Sequence, residues 1–264
     1  NRYMANPQLA LHHDALYLLD EATGPHMYGT MVLALYIEGR FGEDGVRQTW
    51  ETGAAYSGTK IWFPDIVEEA FDETFEEFWA RYLAEIVVVD FPLELASSIK
   101  LPKTVEDVYS LPDHGSPGLE MAPESLGFNV IHFAPDAGAP EGVMTFEFDG
   151  DSSAYWHMVL VQTDGDDKKS SLLDYEIIEV TDGSATIQVD NFDGSKHWWV
   201  VVSPAVEGEV GPYEYEWSAE LLVPEEEEKG CGCKTTAVVG LWPLLLVLGI
   251  RGRREPEADS DPEE

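Results

Sequence analysis

The chain has 264 residues, of which 51 are Asp or Glu and 15 are Lys or Arg, so its formal net charge at pH 7 is −36. Hydrophobic residues make up 44% and aromatic residues 11% of the sequence. This composition can build hydrophobic cores and excludes disorder of the whole chain. Nucleic-acid binding needs Lys and Arg to neutralise phosphates, so a surface this acidic predicts no nucleic-acid partner.

Residues 1–100 show the periodicity of helices. From Pro25, the apolar positions predict a helix of about four turns that ends at Gly42; they are Tyr28, Met31, Val32, Leu35 and Tyr36. A short helix with Val46 and Trp50 one turn apart follows it.

A further helix is predicted to begin at Pro64, with Ile66, Val67, Ala70 and Phe71 facing inward. Thr74 and Glu77 form a capping box at the start of the next helix. Its apolar positions are Phe75, Phe78, Trp79, Tyr82, Leu83 and Ile86. We expect the large aromatic side chains of this half, including Trp50 and Trp79, to form its hydrophobic core.

Two stretches of this half resemble a known family. Residues 28–51 read as a Tyr-Gly helix, a Phe-Gly turn and a Val-Arg-x-x-Trp-Glu helix, and the helix that begins with Phe75-Glu76-Glu77-Phe78 follows. This order is similar to the region that follows the HExxH helix in secreted zinc metalloproteases. The resemblance covers about 90 residues and implies a β-rich domain downstream and a zinc site upstream.

The chain itself contains no HExxH sequence. That motif places two His side chains one helical turn apart to hold zinc, with a Glu to activate its water. His12-His13-Asp14 is the nearest candidate, but adjacent side chains on a helix diverge by roughly 100°. We therefore expect no cofactor and no catalytic residue in this chain, with zinc a feature of a longer parent protein.

The pattern changes beyond residues 101–127, which are rich in Pro and Gly and are predicted to be a linker. From residue 128 to 223, side chains alternate with a period of two, which is typical of strands. Seven segments predict an antiparallel β-sandwich: Phe128 to Phe133, Val143 to Phe148, Tyr155 to Val161, Tyr175 to Val180, Ala185 to Val189, Trp198 to Val202 and Tyr213 to Leu222. In the last segment, Glu214, Glu216, Ser218 and Glu220 predict a solvated face.

Acidic loops join these strands, at residues 149–151, 164–167 and 190–194. Their aspartates are candidates for a calcium site, but none has EF-hand spacing, and Asp, Asn and Gly also form tight turns. His157, Trp198 and Trp199 are candidates to line a ligand-binding face, although aromatic residues in strands are most often core.

The C-terminal part begins with an acidic linker and a cysteine motif at residues 224–236. Both cysteines of the chain lie there, in Gly230-Cys231-Gly232-Cys233. An apolar helix with a basic end is predicted at residues 237–254, and it contains Trp242, Pro243, Arg251, Arg253 and Arg254. Its apolar run is shorter than the roughly 20 residues that span a bilayer comfortably. By the positive-inside rule, the arginines stay in the cytoplasm and the body of the protein lies outside the cell.

Cysteine, apolar helix and arginines in this order resemble the MYXO-CTERM sorting signal of myxobacterial surface proteins. That resemblance implies cleavage by a sorting protease near Cys231 or Cys233 and attachment to the cell surface. The acidic tail at residues 255–264 departs from the family pattern. An unprocessed membrane anchor, a strained Cys-x-Cys disulfide and a metal site are the alternatives at this motif.

These observations predict an α+β protein: a helical, metalloprotease-like segment, an antiparallel β-sandwich and a C-terminal apolar helix. No export signal opens the sequence at Asn1, so either the signal was removed or the chain is a fragment, and we expect a fragment of a longer, cell-surface-anchored extracellular protein. The expected partners are the membrane, a sorting protease and an extracellular protein or glycan. The alternative is an adhesion or carbohydrate-binding or protein-binding sandwich without protease activity.

Overall fold

The structure is a computed structural model that describes residues 31–56, 62–90, 101–102, 104–134, 140–167, 169–209 and 211–224. Over these residues it contains four helices: α1 (Met31–Phe41), α2 (Glu43–Ala55), α3 (Phe63–Phe71) and α4 (Phe75–Ile86). The strands are β1 (Glu106–Val108), β2 (Asp113–Gly115), β3 (Asn129–Phe133), β4 (Gly142–Gly150), β5 (Tyr155–Thr163), β6 (Leu172–Ile178), β7 (Ser184–Phe192), β8 (His197–Ala205) and β9 (Tyr215–Leu222).

The strands form two sheets in the described part of the chain. Sheet A has the order β1-β3-β8-β5-β6, and sheet B has the order β2-β9-β4-β7. All neighbouring strands are antiparallel except β1 and β3, which are parallel. The prediction of a mixed α+β fold with antiparallel-rich sheets is therefore confirmed.

The helix boundaries follow from local chemistry. Gly42 separates α1 from α2 with a φ of 81°, a conformation that glycine adopts without strain. Pro64 lies in the first turn of α3. At the start of α4, the Glu77 amide donates a hydrogen bond of 3.3 Å to Thr74 Oγ1, whose hydroxyl donates to the Glu77 carboxylate at 3.0 Å. The predicted capping pair is confirmed.

The inner faces of the two sheets pack against each other. Phe133 of sheet A lies 5.9 Å from Phe146 and 6.0 Å from Trp217 of sheet B, measured between ring centroids. Phe148 and Trp156 make a similar contact at 5.1 Å. These side chains belong to one buried cluster that fills the space between the sheets, as in a sandwich.

The opposite face of sheet A is covered by the helices. Helix α4 contacts β5 and β6, and the buried Trp79 donates its Nε1–H to Ser203 Oγ of β8 at 3.0 Å. Tyr36 of α1 packs edge-on against Phe78 at 5.6 Å and Tyr82 at 5.1 Å. The helical segment and the sandwich therefore share one hydrophobic cluster, and the layers are helices, sheet A and sheet B.

Two features differ from the sequence predictions. Strands β1 and β2 lie within residues 101–127, the predicted linker, and each pairs at an edge of a sheet. Trp50 is 76% exposed, so its assignment to the core was wrong, whereas Trp79 is fully buried. Trp50 lies on the outer side of α2, where the described neighbours leave its ring open to solvent.

The two tryptophans give a direct test of this packing. Trp79→Ala removes a buried ring and leaves a cavity, so we expect the free energy of unfolding to fall by about 3 to 5 kcal/mol. Trp50→Ala should change it by less than about 0.5 kcal/mol, as is usual for a surface substitution. Urea unfolding followed by circular dichroism measures both values, and equal losses would contradict the placement of the helices.

Candidate functional site

The outer face of sheet B is polar because only its inner face is buried. Along β9, the residues Tyr215, Trp217 and Ala219 are buried, while Glu216 is exposed and Ser218 partly exposed. The same alternation occurs in β4 and β7. The solvated face predicted from the last segment of the sequence is thus confirmed for this strand.

Strand register places polar side chains in rows across this face. His114 of β2 pairs with Ser218 of β9, which pairs with Glu147 of β4, which pairs with Thr186 of β7. Glu216, Asp149 and Ser184 form the adjacent row. These rows line one surface, which we call the sheet B groove. It has a volume of about 910 Å³. The residues that form it are His114, Gly115, Ser116, Glu147, Phe148, Asp149, Ser184, Ala185, Thr186, Glu216, Trp217 and Ser218.

Gly115 lets β2 pack close to Trp217, whose indole ring lies on the inner face of sheet B. A Cβ atom at this position would lie 2.8 Å from Nε1 of Trp217, a distance that carbon and nitrogen do not tolerate. Glycine therefore lets β2 pair with β9 beside the indole ring, and this pairing places His114 next to Ser218. A larger residue would push β2 away and separate His114 from Ser218.

The sheet B groove is electronegative. It carries the carboxylates of Glu147, Asp149 and Glu216, and none of the described residues that line it is Lys or Arg. Asp149 and Glu216 are cross-strand partners, an arrangement of like charges that costs on the order of 0.2 to 1 kcal/mol. Within the groove the Ser184 hydroxyl donates to Asp149 at 3.2 Å, and the Ser218 hydroxyl lies 3.4 Å from Glu147. Such a surface attracts cations and ligands rich in N–H or O–H donors.

His157, Trp198 and Trp199 were also candidates, from the sequence, to line a ligand-binding face. His157 and Trp199 are buried, so neither lies on an open ligand-binding face, whereas Trp198 is partly buried and lines a small pocket of about 180 Å³. His157 packs edge-on against Phe75 at 5.4 Å and Tyr155 at 4.9 Å. Burial in this aromatic surrounding lowers the pKa of the His157 imidazole to about 4.

The aspartate carboxylates of the acidic loops accept hydrogen bonds from backbone amides two residues further along the chain. The Ser153 amide donates to Asp151 at 2.8 Å, the Lys169 amide to Asp167 at 2.7 Å and the Ser195 amide to Asp193 at 2.7 Å. Hydrogen bonds from Ser153 lower the pKa of Asp151. In the described residues, no group of three or more His, Cys, Asp or Glu side chains is arranged to hold a metal ion. A calcium site in these loops stays an untested prediction.

The other predicted site residues lie outside the described part of the chain. These are His12, His13 and Asp14, together with Gly230, Cys231, Gly232, Cys233, Trp242, Pro243, Arg251, Arg253 and Arg254. The apolar helix at residues 237–254 also lies outside it. None of the helices between residues 31 and 224 that the structure describes is long and apolar enough to cross a membrane.

Comparisons with known proteins add little to this description. No model of a protein family matches the chain, and no curated protein matches it significantly. Among solved structures, the chain is similar to the Yersinia pseudotuberculosis-derived mitogen, with 11% sequence identity and a TM-score of 0.27. The match covers 47% of this chain and 97% of the mitogen. At this TM-score the similarity supports no conclusion about fold or function.

Two residues of the sheet B groove, Glu216 and Ser218, were predictable from the sequence. The alternation in the last segment identified Glu216 and Ser218 as solvated. It did not bring them together with His114, Glu147 or Thr186, because those residues lie on other strands. His114 belongs to a strand of three residues, which is too short to show a period.

The buried His157 predicts how stability depends on pH. Because its folded-state pKa is lowered from 6.5 to about 4, the unfolded chain binds a proton first as the pH falls below 6.5. We expect His157 to contribute a loss of stability of as much as about 3 kcal/mol as the pH falls from 6.5 towards 4. Urea unfolding at several pH values should show a smaller loss over this interval for His157→Phe than for the unmodified chain.

The exposed His114 supplies the control, since His114→Phe makes the same exchange at a solvated position. That variant should keep the acid dependence of the unmodified chain. If His157→Phe retains it too, another group governs the loss of stability.

Proposed function

We propose that this chain is the ligand-binding part of a cell-surface-anchored extracellular protein of the metalloprotease-like type, and that it lacks the HExxH zinc site of that protein. The observation that carries the binding role is the sheet B groove, where carboxylates and hydroxyls from β4, β7 and β9, together with His114 of β2, line one open surface. The ligand we propose is a cationic segment of an extracellular protein.

Charge and shape both favour such a ligand. A groove across several strands accommodates an extended chain, and its carboxylates pair with Lys or Arg side chains. The whole chain carries 51 acidic and 15 basic residues, so its field also favours approach of a positively charged partner. A glycan is the other outcome, because hydroxyls and carboxylates also bind sugars, but no exposed aromatic side chain of the described groove residues offers a stacking surface.

The surface location rests on the C-terminal sequence. The order of Cys231 and Cys233, an apolar run and three arginines supports attachment outside the cytoplasm. The metalloprotease-like relationship rests on the pattern at residues 28–51 and 75–78. It requires an HExxH helix in the reading frame upstream of Asn1, and a parent protein without one would leave the adhesion or binding module as the better description.

Charge removal in the groove tests the binding role. The variant Glu147→Gln/Glu216→Gln removes two of the three groove carboxylates and should weaken binding of a decalysine peptide about 5-fold at low salt, since each exposed ion pair contributes on the order of 0.5 kcal/mol. Isothermal titration calorimetry on the whole chain measures this affinity. Addition of 0.5 M NaCl should reduce the difference.

The matched control is Glu207→Gln/Glu209→Gln, which changes the net charge equally at exposed positions outside the groove. The control should bind decalysine within 2-fold of the unmodified chain. Equal weakening by both pairs would show a general charge effect and remove the groove from the proposal. Binding of a neutral oligosaccharide that only the groove variant loses would identify a glycan ligand instead.

The attachment motif has its own test. Cys231→Ser/Cys233→Ser should leave the tail uncleaved or release the protein from the surface fraction, because either cysteine is the candidate attachment point. Fractionation of cells, with protease treatment of intact cells, measures where residues 31–224 lie. Unchanged processing and surface exposure would mean that the cysteines have no part in anchoring.

A further inference from the structure

A line of three titratable side chains crosses one end of sheet A, on strands other than those of the sheet B groove. Asp107 of β1 lies 3.1 Å from Nδ1 of His132 in β3, measured from its Oδ1 atom. Nε2 of His132 lies 2.9 Å from Nδ1 of His197 at the start of β8. The three groups therefore form a continuous chain of hydrogen bonds.

The donors and acceptors in this series of hydrogen bonds determine which nitrogen carries each proton. A carboxylate only accepts, so Nδ1 of His132 carries a hydrogen and donates to Asp107. Burial lowers the pKa of His132, so its ring is neutral at pH 7 and its Nε2 is an acceptor. Nδ1 of His197 must then be the donor. In neutral His197 the remaining nitrogen, Nε2, carries a lone pair and no hydrogen.

Packing holds this arrangement in place. The side chain of His132 is 5% exposed. Its ring stacks on the Trp199 indole, with ring centroids 3.7 Å apart and ring planes 12° from parallel. Nε1–H of Trp199 donates to Thr163 Oγ1 at 2.8 Å, whose hydroxyl donates to the Gly165 carbonyl at 2.6 Å. Rotation of the His132 ring would break its bonds to both Asp107 and His197.

The surroundings also accept a positive charge on the central ring. Burial and the neighbouring His197 oppose protonation of His132, while Asp107, through its hydrogen bond and its charge, and Asp166 favour it. Thr104 donates its hydroxyl to the second oxygen of Asp107 at 3.1 Å and holds the carboxylate in line. His197 itself is only partly buried, so the chain of bonds runs from a partly exposed carboxylate through a buried ring to an accessible one.

We propose that Asp107, His132 and His197 form a proton relay that makes Nε2 of His197 a nucleophile towards activated esters. In the Ser-His-Asp triad, a carboxylate accepts the Nδ1–H of the reacting histidine and holds it in the tautomer whose Nε2 acts as a base. Here His132 accepts that hydrogen, and Asp107 orients His132. His197 is the candidate catalytic residue, and the other two are positioning residues.

The chemistry balances with water as the second reactant. Nε2 of His197 attacks the ester carbonyl carbon, the bond from that carbon to the leaving oxygen breaks, and the leaving oxygen takes a proton from water. The acylated His197 passes its Nδ1 proton to Nε2 of His132, whose positive ring remains paired with Asp107. The hydroxide left by that water attacks the acyl carbon, the bond from this carbon to Nε2 breaks to release a carboxylic acid, and the proton held by His132 returns to Nδ1 of His197.

The tautomer can be read directly. Long-range ¹⁵N–¹³C NMR of the whole chain in detergent solution at pH 7.5 should show His197 protonated on Nδ1 and bare at Nε2. A His197 that is protonated on Nε2 would overturn the proposal, because its outer nitrogen would then have no lone pair.

Reactivity is measured with diethyl pyrocarbonate, an acyl electrophile, and mass spectrometry of the modified histidines. His197 should react about 10-fold faster at pH 7 than the exposed His114. Asp107→Asn should reduce this ratio several-fold without changing the rate of His114, and Asp174→Asn, at an exposed position on β6 of the same sheet, should leave it unchanged. Equal rates for His197 and His114, or a ratio insensitive to Asp107→Asn, would contradict the relay.

Turnover is followed with p-nitrophenyl acetate. His197→Gln should reduce hydrolysis several-fold, and Asp107→Asn should change the pH profile of the rate as well as its height. Glu207→Gln, at an exposed position outside both proposed sites, provides the control and should retain the unmodified rate. A chain with His197→Gln that is as active as the unmodified one would overturn the catalytic assignment. Because Asp107 and His197 lie partly exposed, these variants test the relay without emptying the core.

Discussion

The burial of sheet A on both faces is the constraint on which the rest of the structure depends. Helices cover one face and sheet B covers the other, so the central strands β5 and β8 are buried along most of their length. Polar groups there cost free energy unless they are paired internally, and the Nε1–H of Trp198 is one that has no partner among the described residues. Ser203 accepts from Trp79, and Thr163 accepts from Trp199. These bonds tie the helices and the loops to the same sheet, and they limit where a polar site can form.

Sheet B has the opposite constraint, because its outer face meets solvent. Polar side chains therefore occupy every second position of its strands at no cost of burial, and register alone decides which of them become neighbours. The pairing of Asp149 with Glu216 is unfavourable within the sheet, and the positively charged ligand proposed for the groove would relieve this repulsion. The proposed binding role follows from this difference between the two sheets.

The two proposed sites differ in their exposure to solvent and in the interactions on which they depend. The sheet B groove is wide and solvated, and its chemistry is that of several exposed charges acting together. The relay is narrow and partly buried, and its chemistry depends on the fixed direction of each proton. Both lie in the sandwich half, while the attachment motif with Cys231 and Cys233 would hold that half at the cell surface. The proposed binding surface and the proposed reactive histidine are thus compatible within one protein.

The sequence by itself determined the secondary structure wherever a period runs over several turns or residues. Thr74 and Glu77 marked the start of α4, and alternation located all seven of the longer strands. It failed for β1 and β2, since three residues are too few to show a period, and for Trp50, since helical spacing identifies a face without identifying what covers it.

Tertiary structure alone decided the sites. Asp107, His132 and His197 are separated by 25 and 65 positions in the chain, and only the pairing of β1 with β3 and of β3 with β8 brings them together. The groove depends in the same way on β2, β9, β4 and β7 lying side by side. Local patterns fix which face of a strand is polar, because that depends on adjacent residues. Which strands become neighbours depends on the packing of the whole chain, and so does the chemistry.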